Sequence, residues 1–77
     1  VIAGHTDNVP IGRAKFASNE ELSLKRAEAV GDFFVKAGIP AQGIETKGMG
    51  ASLPISSNKD EQGRALNRRV VVYVTYL

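Results

Sequence analysis

The sequence predicts a small α/β sandwich: a small mixed sheet with helices packed on one face, its elements in the order β-α-β-α-β. Three observations carry this. Strand-like apolar runs open and close the chain, at residues 1–6 and 69–76. One long stretch between Ser18 and Gly38 repeats its apolar residues at helical spacing. Proline and glycine mark the junctions, at Pro10, Gly12, Pro40, Gly50 and Pro54. The chain has 77 residues, which predicts a single domain of modest stability over 1–77. A chain of this size buries only about 60% of the surface it exposes when unfolded.

The first strand is bounded by Asp7-Asn8 and Pro10, and residues 8–18 read as a loop. Ser18 with Glu21 three residues later is a capping-box signature, and Ser23 offers a second start one turn on. The helix runs to Gly38, with Pro40 beyond it. Ala27, Val30, Phe34 and Ala37 are expected to line its packed face, while Lys25, Glu28, Asp32 and Lys36 face water. Arg26 lies one turn before Val30 and so belongs to the edge of the buried stripe. Residues 44–49 read as a second strand, interrupted by Gly48, and 50–58 as a connection. Residues 59–66 allow two helical turns despite Gly63. In the last run Val70, Val72 and Val74 alternate with Val71, Tyr73 and Thr75, which predicts a strand inside the sheet. If the first two strands are parallel neighbours, the connection between them is right-handed. Three strands leave two edges and an incompletely covered face, so a further element is expected ahead of Val1.

Composition narrows the function. Lys plus Arg number 10 and Asp plus Glu 8, a formal charge of +2 that compels no nucleic-acid partner. The longest apolar run, 70–74, is far too short to cross a bilayer. Without cysteine there is no disulfide and no thiolate metal site. His5 and Asp7 share a strand face but lack a third ligand for zinc. Ser23, Ser52, Ser56 and Ser57 have no surroundings that activate a nucleophile, and Gly48-Met49-Gly50 lacks the rest of a dinucleotide or phosphate loop. A noncatalytic domain without metal or cofactor is the expectation.

Two charges stand where a charge needs a partner. Asp7 sits at the end of the first strand, and Arg26 near the start of the long helix. Ligands of open α/β sheets collect at such places, beyond strand carboxyl ends and beside helix N-termini. Asp7 either caps its own turn and pairs with Arg26 as a structural salt bridge, or the two grip a zwitterion. In the second case Asp7 meets an ammonium, and Arg26 clamps a carboxylate over the helix N-terminus. Spacing alone favours the salt bridge. Arg64, Arg68 and Arg69 cluster around Asn67, and the functional reading is an anion or nucleic-acid patch. Arg68 and Arg69 should point to different sides, so at most one reaches a cleft shared with Arg26. Phe33 and Phe34 read as core, which leaves few platforms for base stacking.

An ordered set of motifs spans nearly the whole chain. It comprises Gly4-His5-Thr6-Asp7, Asn19-x-x-Leu22-Ser23-x-x-Arg26-Ala27-x-x-Val30, Gly38-Ile39-Pro40, Gly48-x-Gly50, Pro54, Asn58 and Gly63-Arg64-Ala65-x-Asn67-Arg68-Arg69-Val70. This set resembles the OmpA-like peptidoglycan-binding domain. The resemblance implies a periplasmic, noncatalytic module that holds a membrane-attached protein to the cell wall by gripping diaminopimelate of the peptidoglycan stem peptide. It places the ammonium-binding aspartate at Asp7 and the carboxylate-binding arginine at Arg26. Asn19 and Thr6 then contact the ligand or shape its loop, and Arg68 is the first arginine of the Asn-Arg-Arg-Val motif. The run Gly4 to Ile11 with Phe16-x-Ser18-Asn19 is similar to flagellar stator B subunits, which commonly carry Pro and Trp where this chain has Ala17 and Glu20. The family domain usually begins with another strand and helix ahead of Val1, which implies an N-terminally truncated piece, and its members often work as dimers. On this reading nucleic acid is not a partner. The alternative is a basic nucleic-acid-binding module using Arg64, Arg68 and Arg69, and a hydrolase built on His5 and Asp7 is a third class.

Overall fold

A computed structural model describes residues 1–10 and 18–74. Strands β1 (Ile2–His5), β2 (Thr46–Gly48) and β3 (Arg69–Val72) form one sheet in the order β2-β1-β3. Helix α1 (Asn19–Lys36) connects β1 to β2, its parallel neighbour, and α2 (Glu61–Asn67) leads into the antiparallel β3. This is the mixed α/β arrangement and element order expected. Residues 11–17 of the predicted loop and 75–76 of the predicted last strand lie outside the described residues.

The sheet corrects one expectation. The valine-rich strand β3 is an edge, and the centre is β1, which pairs on both sides. Residues 2–7 are all buried, whereas Val72, Tyr73 and Val74 are exposed. Alternating valines satisfy an edge as well as a centre, because the pattern reports a pleated, partly buried surface and not the number of partners. Backbone bonds continue past the strand ends, from Met49 N–H to the Gly4 carbonyl at 2.9 Å and from Thr6 N–H to the Gly50 carbonyl at 2.8 Å.

Helix α1 begins as predicted, with the Ser18 hydroxyl accepting the Glu21 N–H at 3.1 Å. Its buried line is Ser23, Ala27 and Gly31, not the predicted Ala27, Val30, Phe34 and Ala37. Val30 and Phe34 are half-buried flanks, Ala37 is exposed, and Glu28 is half-buried where water was expected. The reason is the depth at which the helix sits. A Cβ on Gly4 would lie 1.9 Å from the Ser23 carbonyl oxygen, and one on Gly48 would lie 2.3 Å from that of Glu20. Glycine lets helix and sheet backbones touch here, so only small side chains fit between them.

Asn67 closes the other half of the domain. Its side chain is fully buried at the end of α2. Its Oδ1 accepts the N–H groups of Ile55 at 2.8 Å and Ser56 at 3.0 Å, and Nδ2 donates to the Ser56 carbonyl at 3.0 Å and to Asn58 Oδ1 at 2.8 Å. The connection before α2 is thereby pinned to the junction between α2 and β3. Residue 68 follows immediately, so this amide also fixes one wall of the cleft described next.

Candidate functional site

A cleft of about 380 Å³ opens beyond the carboxyl end of β1. The chain leaving β1 supplies Thr6, Asp7, Val9 and Pro10; α1 supplies Asn19, Leu22 and Arg26; Glu61, Arg64 and Arg68 come from α2 and its end. Asn19, Leu22 and Arg26 are spaced by three and four, one face of the first two helical turns. All the predicted site residues, Thr6, Asp7, Asn19, Arg26 and Arg68, therefore meet in one cavity of a size that suits a small ligand.

The turn after β1 is held by its own side chains. The Thr6 hydroxyl donates to the Asp7 carbonyl at 2.8 Å, and Asp7 Oδ1 accepts the Val9 N–H at 3.1 Å, an Asx-type turn. Asn19 Nδ2 donates to the Val9 carbonyl at 3.2 Å, which ties the start of α1 to that turn. Asp7 Oδ2 accepts Arg68 Nη1 at 2.7 Å. Arg68 Nη2 donates to Glu61 Oε1, while Arg64 donates from Nε to Glu61 Oε2 at 3.2 Å and from Nη1 to the Asn58 carbonyl at 3.0 Å. Asp7, Arg68, Glu61 and Arg64 thus form one chain of alternating charge.

The partner of Asp7 is Arg68, so the structural salt bridge to Arg26 that spacing alone favours does not form. Sheet register explains the change: His5 faces Arg69 across the antiparallel pair, so Thr6 comes beside Arg68, and Asp7, one residue on, lies within reach of its guanidinium. Arg26, by contrast, is exposed and has no ion-pair partner among the described residues. Arg69 turns away as expected of Arg68's neighbour, donating to the Leu53 carbonyl at 2.9 Å and the Asn67 carbonyl at 3.3 Å. Arg64, Arg68 and Arg69 therefore do not make a common basic face: two hold cleft carboxylates and the third holds loop carbonyls.

Electrostatics keep the cleft carboxylates ionised. Burial pushes Asp7 up, but the Arg68 hydrogen bond, the Val9 N–H and the charges of Arg68 and Arg64 together hold it below the ordinary carboxylate value. Glu61 is held low by the hydrogen bond and charge of Arg68, with Arg64 adding to both. Arg68 is raised by Glu61 and Asp7. His5 is buried on β1, neither of its ring nitrogens has a hydrogen-bond partner among the described residues, and burial together with Arg69 lowers its pKa. It does not line the cleft. Among the described residues no group of three His, Cys, Asp or Glu stands ready to hold a metal ion, and no helix is long and apolar enough to cross a membrane.

Sequence reasoning missed Glu61. The signal was present: Glu61, Arg64 and Arg68 fall at i, i+3 and i+7, the spacing of one helical face. Among the described residues lining the cleft, the arrangement offers one guanidinium without an ion-pair partner, Arg26, and an ionised carboxylate, Asp7. It is equipped to bind an ion of mixed charge.

Comparison with known proteins agrees with this architecture. The OmpA family model matches residues 1–68. The outer-membrane lipoprotein YfiB of Pseudomonas aeruginosa is 44% identical over 73 residues, covering 95% of this chain and 41% of that protein. The peptidoglycan-binding protein ArfA of Mycobacterium bovis is 41% identical over 73 residues, covering 95% of this chain and 21% of that protein. The solved periplasmic domain of Helicobacter pylori MotB superposes with a TM-score of 0.82 at 29% identity, covering 90% of this chain and 43% of that one. The chain thus spans less than half the length of these relatives. By the family model and by these identities, the chain belongs to the OmpA family.

Proposed function

We propose that this domain is a noncatalytic peptidoglycan-binding module of the bacterial periplasm that anchors a membrane-attached protein to the cell wall. Its ligand is the zwitterionic centre of a diaminopimelate side chain in the stem peptide. Asp7 receives the ammonium, and Arg26 takes the carboxylate as a bidentate clamp. Thr6 and Asn19 hold the turn that aims Asp7, and Arg68 keeps it ionised. The observation that carries this reading is the presence in one cleft of a held carboxylate and of a guanidinium with no ion-pair partner among the described residues. Family membership and the similarity to the peptidoglycan-binding protein ArfA support it.

Sedimentation with diaminopimelate-type cell wall tests the proposal. The native domain is expected to pellet with the wall, and Asp7→Ala and Arg26→Ala to stay in the supernatant while their circular dichroism remains native. Wall binding by both folded variants sinks the reading.

A further inference from the structure

Asp7 already has a guanidinium beside it where a ligand ammonium would come. Arg68 Nη1 holds Oδ2 at 2.7 Å, and the Val9 N–H holds Oδ1 at 3.1 Å. One acceptor site is left on each oxygen, but an ammonium seated there lies against the like charge of Arg68, so Arg68 is driven to shift its hold, and a guanidinium that gives up part of one carboxylate needs another. Glu61 is already in place, accepting from the second terminal nitrogen of the same arginine. We propose that Glu61 is a positioning residue for ligand binding, the alternate counter-ion that lets Arg68 yield Asp7 to an incoming ammonium. The inference rests on the zwitterion reading above.

The charge balance makes the argument sharper. The described charged side chains lining the cleft are Arg26, Arg64 and Arg68 against Asp7 and Glu61, one positive charge in excess. That excess sits on Arg26 and matches one ligand carboxylate. With Glu61 neutralised, three guanidiniums face a single carboxylate, and Arg68 has no reason to leave Asp7. Such a cleft accepts a plain diacid as readily as before but pays more to seat an ammonium. Glu61 is itself steadied by Arg64 Nε at 3.2 Å and by its place in the first turn of α2, whose N-cap is Asp60. Arg68 then moves between two fork-shaped acceptors by side-chain rotation alone.

The test compares meso-diaminopimelate with pimelate, the same seven-carbon diacid lacking both ammonium groups, by amide chemical-shift titration. Native protein is expected to prefer diaminopimelate. Glu61→Gln should narrow that preference about three-fold, the scale of one exposed ion pair, by weakening diaminopimelate and leaving pimelate unchanged or tighter. In an Arg68→Gln background, Glu61→Gln should have no further effect on the preference, which a merely structural role for Glu61 does not predict. A folded Glu61→Gln protein that keeps the native preference overturns the inference alone. Absence of diaminopimelate binding by the native protein overturns the zwitterion reading and the inference with it.

Discussion

Replacing Asn67 by alanine should cost the domain a large part of its stability. The side chain is fully buried and makes four hydrogen bonds, to Ile55 N–H, Ser56 N–H, the Ser56 carbonyl and Asn58 Oδ1, all between 2.8 and 3.0 Å. At about 1 kcal/mol net for each bond the four together contribute about 4 kcal/mol. Ile55 is 62% exposed, so its freed N–H recovers a water partner, and the expected loss is about 2–3 kcal/mol. A domain of this length has only roughly 4–12 kcal/mol in total. Asn67→Asp separates the two halves of the amide. It keeps the acceptor for Ile55 and Ser56 but sets a carboxylate against two oxygens, so at neutral pH it should be at least as damaging as alanine. Urea denaturation followed by circular dichroism measures both. An alanine variant within about 0.5 kcal/mol of native, at unchanged m-value, refutes the view that this amide holds the connection to the helix end.

Two other measurements probe the fold. Gly4→Ala puts a methyl group 1.9 Å from the Ser23 carbonyl oxygen, a backbone atom with no side-chain freedom to yield, so a loss of about 3 kcal/mol or failure to fold is expected in thermal melts. A melting temperature equal to native contradicts the backbone contact. For pH, the folded pKa of His5 lies below its ordinary 6.5, so the unfolded chain takes up the proton first and stability falls as pH drops below that value. His5→Gln should flatten the slope between pH 7.5 and 5.5. Asp7 and Glu61, also lowered, add a second loss as pH falls below their ordinary 3.8 and 4.5. A slope above pH 5.5 that survives His5→Gln removes His5 as its cause.

Much of this architecture is legible in the amino acids because the signals are local. The Ser18 cap, the helical period to Lys36 and the valine alternation each lie within a few residues of one another. Five of the residues that line the cleft, Thr6, Asp7, Asn19, Arg26 and Arg68, were likewise singled out from motifs. What escaped was everything decided by pairing between distant segments. Asp7 chose Arg68 over Arg26 through antiparallel register across a separation of 61 residues, and no spacing on one element encodes that. The buried face of α1 was misplaced because apolarity was read as the mark of contact, while the contact selected for smallness at Ser23, Ala27 and Gly31. β3 was placed inside the sheet because its residues tolerate either position.

The backbone contact of α1 with Gly4 and Gly48 has a mechanical meaning under the proposed anchoring function. On that reading, tension on a ligand held between Asp7 and Arg26 would pull the end of β1 against the second turn of α1. Flexible side chains between helix and sheet would stretch under such a pull. Here the Ser23 and Glu20 carbonyls rest directly on the strands, and Ser23 Oγ accepts the Gly50 N–H at 2.9 Å, so the two grips share a stiff frame. The spacing of Asp7 and Arg26 is then set by main-chain atoms, and a tether of the proposed kind would transmit force without first changing the shape that recognises its ligand.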